Sequence, residues 1–395
     1  MEDLFKDIPA NARFKGPLDL PKPLLEFELM QEVTAIANKN NTSLSLMGGG
    51  IYPHFIPSAV KHIISRSEFY TAYTPYQAEA SQGTLQAIYE YQTFICRLTG
   101  MDATNASMYD GGTSVAEAAL LACRQTGRKE IVISSAVNPR YREVLKTYAK
   151  GAELFVREVD FYMENGTTIL PALDDNSACY IIQQPNFFGC IEDVLSLADS
   201  IHKNGSLFIT VVDPISLGLL KPPGEYGADI VVGEGQSLGI SQSFGGPGLG
   251  ILAVKKELLR QIPGRIVSRT TDLDGKDGFI LTLQAREQHI RRERATSNIC
   301  SNQALCALSA CIYLSLVGGK GLKNIGALCL EKSNYLKSKV GSIFKAPTFK
   351  EFVAKSDSKL GIDLEQFYPS LKGMRLLSVT EVYSKDLLDK LALEL

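Results

Sequence analysis

Apolar residues recur at helical spacing from Leu24 to about Asn38, behind a start punctuated by Pro17, Pro21 and Pro23. This pattern predicts an arm leading into a packed amphipathic helix. From Leu46 to Ser81 neither a helical nor a strand period holds, and Gly, Pro, Tyr and Thr crowd together, so an ordered loop is expected there. Helical periodicity follows at Leu85–Leu98 and Ser114–Arg124. A strand at Glu130–Ala136, a helix at Arg140–Ala149 and a strand at Glu153–Val159 come next. A strand near Tyr180–Gln183 then precedes a helix at Asp193–Lys203, and apolar β-branched runs stand at Leu207–Val212, Ile230–Val232 and Ile251–Val254. Continuous apolar strands separated by helices predict an α/β protein with a largely parallel sheet covered on both faces. A polar stretch, Arg286–Asn302, leads to helices at Gln303–Leu316 and Leu322–Val340, and a strand at Arg375–Thr380 with a last helix closes the chain. The expected division is an amino-terminal arm with helices (1–68), a large α/β domain (69–300) and a small carboxy-terminal α+β domain (301–395).

With 395 residues, 45% of them hydrophobic, the chain can bury a substantial core, and disorder is set aside. The 41 Lys and Arg nearly balance the 43 Asp and Glu and form no basic stripe, which argues against nucleic acid as a partner. No uninterrupted apolar run reaches the roughly 20 residues of a membrane span, and the start MEDLFKDIPA lacks a basic region followed by an apolar one. A soluble, cytoplasmic protein is expected. The eight cysteines are scattered without a Cys-x-x-Cys pair and are read as reduced core residues. His54, His62, His202 and His289 carry no metal-ligand spacing, so no metal is expected.

Three segments carry candidate chemistry. In Tyr109–Ala122, Gly111, Gly112 and Thr113 open a helix, whose free N–H groups and dipole suit a phosphate. An ordinary cap by Thr113 or Ser114 explains the same residues. Asp213 ends an apolar strand where parallel sheets bind ligands, the place of a carboxylate that would hold a pyridinium nitrogen, while an Asp before Pro214 equally starts a turn. In Gly233–Lys256 a strand, a small-residue loop and a glycine turn form the setting of a Schiff-base lysine. No Lys, Arg or His lies between Lys221 and Lys255, and Gln236 stands where the amine is expected. An amide is not a nucleophile, and covalent imine chemistry needs a primary amine. Lys221 and Lys255 flank the strands, away from that point.

The segments FYTAYTPYQAEASQGTLQAIYEYQT, YDGGTSVAEA, GEGQSLGISQSFGGPG and REQHIRRERATSNICSNQAL closely resemble the alpha-type half of the two-subunit P-protein family of the glycine cleavage system. The resemblance implies the type I pyridoxal-phosphate-dependent transferase fold, similar to aspartate aminotransferase. It also implies an enzyme that decarboxylates glycine, as an α2β2 heterotetramer with a glycine dehydrogenase beta subunit. That beta half carries a His-Lys-Thr motif whose lysine falls opposite Gln236, so pyridoxal phosphate would be bound covalently by the beta subunit and not by this chain. The aminomethyl group would pass to the lipoyl arm of H protein. No catalytic residue is then expected here; Gly111, Gly112, Thr113 and Asp213 would be a vestigial cup, and Tyr73, Thr74, Tyr76 and Gln77 are candidates to reach the partner's active site. A buried loop that only packs the dimer is the plainer reading of the last four. Arg286, Arg291, Arg292 and Arg294, alternating with Glu287 and Glu293, read as a solvated helix with internal ion pairs or as a surface for an acidic partner. Tyr52-Pro53 stands where the family tends to have Tyr-Asp. A regulatory or binding relative with the same fold is the alternative.

Overall fold

The computed structural model describes residues 2–40, 45–170, 172–299 and 301–395; Cys300, read above as a core cysteine, lies outside them. The chain divides into two compact units between Ser45 and Leu46. In the first, α1 spans Glu26–Ala37, and the Glu28 carboxylate accepts the Leu25 N–H at 2.9 Å, satisfying one donor that the helix start leaves free. The helix forms where apolar spacing predicts it. Within its own unit α1 buries no residue, since periodicity specifies a helix with an apolar face and not what covers that face.

The second unit opens with α2 (Ser58–Ile64) and α3 (Ser67–Tyr70) inside the stretch expected to be loop. Their single buried residue, Val60, and their flanking prolines left too short a period to read. The elements α4 (Gln82–Thr99), β1 (Ala103–Thr104), α5 (Gly111–Thr126), β2 (Glu130–Ser134), α6 (Pro139–Gly151), β3 (Phe155–Val159) and β4 (Ser177–Gln184) follow. Then come α7 (Leu197–Lys203), β5 (Leu207–Val212), β6 (Ile230–Glu234) and β7 (Gly250–Val254). These strands form one sheet in the order β1-β7-β6-β5-β4-β2-β3, parallel from β3 through β6 and antiparallel at β7 and β1. The largely parallel sheet is thus present. Two apolar clusters cover it: one joins α5 and α6 to β2, β4 and β6, and the other includes Tyr91, Ile95, Phe208 and Tyr313.

A hairpin of β8 (Ile266–Thr271) and β9 (Asp277–Thr282) was not predicted; Ile266, Val267 and Leu281 are buried, but polar and exposed residues break the pattern on both strands. The polar stretch after it holds the single turn α8 (Gln288–Arg291). Next, α9 (Ala304–Val340) breaks at Gly318, where φ is 60°, which is why the sequence reads as two helices around GGKG. By length and composition α9 could cross a membrane, but its apolar residues, Cys311, Tyr313, Leu314 and Leu322 among them, belong to the core. The small antiparallel sheet β10 (Glu351–Lys355), β12 (Met374–Ser378) and β11 (Ile362–Asp363) precedes α10 (Lys385–Glu394). Residues 46–395 form one compact unit.

Candidate functional site

Strand register fixes the site. Val212 pairs with Gly233, so Asp213 and Glu234 emerge side by side at the carboxyl edge of the sheet, with the amino terminus of α5 facing them. At that terminus Asp110 caps the helix through Thr113 N–H at 2.7 Å, and Thr113 Oγ1 returns the favour by accepting the Asp110 N–H at 3.1 Å. The Gly111 N–H donates to Glu234 Oε2 at 3.0 Å, while Glu234 Oε1 accepts from Gln236 N–H at 2.9 Å and Leu249 N–H at 2.8 Å. Two of the chain's own carboxylates therefore occupy donors of the expected cup. Burial raises the Glu234 pKa above its ordinary value, and the three N–H bonds oppose that shift.

Gln236 is 2% exposed and fully engaged. Its Oε1 accepts the Tyr52 N–H at 2.9 Å, and its Nε2 donates to Tyr52 O at 3.1 Å and Ile240 O at 2.7 Å. Asp213 starts the turn, its Oδ1 accepting the Ile215 N–H at 3.1 Å, while its Oδ2 pairs with Lys350 Nζ at 2.8 Å where a pyridinium nitrogen was expected. The Lys350 side chain is 2% exposed, and Nζ stands 3.4 Å from the centroid of the Tyr52 ring and 3.3 Å from His54 Nε2. The Tyr52 hydroxyl donates to Glu351 Oε2 at 2.7 Å, and burial pushes the Glu351 carboxyl up to about 7. Tyr52 thus lies between the aspartate's counter-ion and the glutamine. A pyridoxal phosphate bound here would need an amine, a free anion cup and an unpaired aspartate, and the residues present supply none of the three. They do not fit the group.

His54, Cys329 and Glu381 bring possible metal-ligand atoms within 4.8 Å of one another, a meeting that sequence spacing could not reveal. His54 Nδ1 and Glu381 Oε2 share a hydrogen bond of 2.7 Å. Burial and the nearby Lys350 ammonium keep the imidazole pKa low, so His54 is neutral, donating to Glu381 and accepting from Lys350. A cation beside that ammonium would be opposed. The other candidate amines are elsewhere: Lys255 pairs with Asp229 at 2.6 Å, and Lys221 is exposed.

The loop candidates are not brought to this cluster. Tyr73 is 81% exposed and Tyr76 45%, Gln77 is exposed and Thr74 half-buried. Tyr76 accepts from Arg265 Nη2 at 3.0 Å and meets the His289 ring edge-on at 6.1 Å. The charge run Arg286–Arg294 is not one solvated helix but short turns, α8 among them. Arg286 instead donates inward, to Ile262 O and, at 3.0 Å, to Gly264 O, while Arg294 and Glu293 lie 3.9 Å apart in solvent. A cavity of about 920 Å³ opens beside the cluster, with Asp110 and Glu234 in its wall and Arg140, Lys359 and Arg375 also lining it. Sequence reasoning missed Glu234, Tyr52 and Lys350; only GEGQ, which sets Glu234 next to the expected imine position, offered a signal.

Residues 1–374 match the family model of the glycine cleavage system P-protein. A probable glycine dehydrogenase (decarboxylating) subunit 1 of Moorella thermoacetica is 51% identical, over 99% of this chain and 93% of the relative. One of Geobacillus kaustophilus is 50% identical, over 100% and 94%. Among solved structures, a glycine decarboxylase (P-protein) of the glycine cleavage system in inhibitor-bound form superposes with a TM-score of 0.93 at 40% identity, covering 100% of this chain and 94% of that one. A C-DES mutant with glycine covalently linked to its PLP cofactor, at 14% identity and a TM-score of 0.60, shares the fold, over 91% of this chain and 97% of that one.

Proposed function

Because the chain belongs to the glycine cleavage system P-protein family, we propose that it is the alpha-type subunit of a two-subunit glycine dehydrogenase (decarboxylating). It acts in glycine cleavage, in which glycine loses carbon dioxide and the aminomethyl group passes to the lipoyl arm of H protein. The observation that carries this reading is Gln236, a buried amide with every donor and acceptor engaged where a cofactor-holding chain needs an amine. Pyridoxal phosphate is held by a lysine-bearing beta subunit, and activity depends on the assembled pair, in an α2β2 arrangement in the cytoplasm.

This chain's contribution is made at its outward-facing edge. Tyr73, Tyr76 and Gln77 are exposed, Thr74 is partly so, and Arg265 holds the Tyr76 hydroxyl from beneath. From there the loop Tyr73–Gln77 reaches the beta subunit's site, where aromatic faces and an amide shape the space around a small amino acid. Co-purification with a lysine-bearing homologue, followed by glycine decarboxylation assays with lipoylated H protein, tests the reading. Turnover is expected only when both chains are present; equal turnover by the homologue alone would reject it.

A further inference from the structure

The groups around Gln236 do more than fail to hold a cofactor: each carries the charge or shape of a part of one. At the helix end, Glu234 accepts the N–H of Gly111 as an anionic oxygen would. Against Asp213, the Lys350 ammonium supplies the positive N–H donor that a pyridinium would. Beside them stands an aromatic ring, that of Tyr52, whose backbone meets the Gln236 amide and over whose face Lys350 Nζ sits 3.4 Å from the centroid. We infer that this chain carries an internal replacement for the cofactor, in which Glu234, Tyr52 and Lys350 take the places of phosphate, ring and ring nitrogen and close the pocket to the free molecule. The inference rests on the fold and these contacts, independently of the proposed activity.

The backbone is shaped for this arrangement. Tyr52 is delivered by Gly48, Gly49 and Gly50, and the last two adopt φ of +70° and +112°. A Cβ at Gly48 would come within 2.4 Å of Glu351 Oε1, the same carboxylate that accepts the Gly49 N–H at 2.7 Å and, on its other oxygen, the Tyr52 hydroxyl. Side chains at these positions would push the segment out of the slot. At the helix end a phosphate would meet the Asp110 and Glu234 carboxylates that already take its donors, even though Arg140, Lys359 and Arg375 line the same 920 Å³ cavity, and a pyridinium would have to displace Lys350 from its ion pair with Asp213. Restoring the amine alone therefore does not restore binding.

Two measurements on the full chain test this. Titration calorimetry with pyridoxamine 5′-phosphate, which brings its own amine and needs no lysine, is expected to give no saturable heat. Any dissociation constant would be weaker than about 1 mM, roughly a thousandfold above the micromolar value of an open pocket. Stoichiometric micromolar binding by the wild-type chain overturns the inference, as does borohydride trapping of a pyridoxyl adduct on the introduced amine of Gln236→Lys. Lys350→Ala should melt lower than wild type and recover with n-propylammonium chloride, which matches the deleted atoms, but not with sodium chloride at equal ionic strength. Equal recovery with both salts removes Lys350 from the role. If Lys350→Ala does not fold, the wild-type titration decides alone.

Discussion

Around Gln236 the amide, Glu234 and Lys350 find their partners within the chain, although Ser237 Oγ beside them is buried without one; around Tyr76 a charged pair is left without a hydrogen bond. The Gln236 amide makes three hydrogen bonds, Glu234 accepts three N–H groups, and Lys350 meets a carboxylate, a ring and an imidazole. Near Tyr76, by contrast, Arg265 Nε and Glu287 Oε2 are buried without a hydrogen-bond partner, 4.0 Å apart, and Tyr73 is 81% exposed. Buried groups without a hydrogen-bond partner cost stability, and here the cost falls on a charged pair rather than on a lone hydroxyl. On the proposed function, the interior cluster is bound up in its own contacts while the edge near Tyr76 is exposed.

The comparison is broken most forcefully at its closed end. Lys350→Ala leaves Asp213 buried without its cation and is expected to destabilise the chain by about 3–5 kcal/mol in urea unfolding; a loss under about 1 kcal/mol would mean that the pair is not a structural centre. Glu234→Ala strands three N–H groups and should cost about 2–3 kcal/mol, with Glu234→Gln costing less because one oxygen still accepts.

At the open edge, stability and activity should separate. Gln77→Ala should lower glycine turnover of the assembled enzyme by about tenfold, roughly 1.4 kcal/mol, while leaving the melting curve within about 0.5 kcal/mol of wild type. Unchanged turnover would return this residue to a packing role.

A further effect concerns pH. The folded Glu351 carboxyl titrates at about 7, above its ordinary value of 4.5, because burial penalises its charge. Between these values the unfolded chain has released the proton and the folded chain retains it, so this group's stabilisation is present at low pH and is lost as pH rises through about 7. Glu351→Gln should flatten that slope in unfolding curves taken from pH 4.5 to 8; an unchanged slope would assign the dependence elsewhere.

The closed and open regions also differ in how far the sequence reveals them. Strands β5, β6 and β7 are legible because buried runs such as Leu207–Val212 have no polar face to confuse. Gln236 is legible because a missing amine is a local fact. Its partners are not: Tyr52 lies 184 residues away, and Lys350 sits in the unremarkable string TFKEF, where only folding shows it to be buried against Asp213. The hairpin β8–β9 escaped for a different reason, since its few buried positions, Ile266, Val267 and Leu281, are too scattered to make an apolar pattern. As for α1, spacing announces the helix, yet nothing in the residues tells what covers its apolar face.

The most direct test of the account is to reduce the assembled two-subunit enzyme with borohydride after loading pyridoxal phosphate, and to map the pyridoxyl peptides. One adduct per pair of chains, on the beta subunit's lysine and on no side chain of this one, is the predicted result. A pyridoxyl group on this chain, formed in step with turnover, would contradict it.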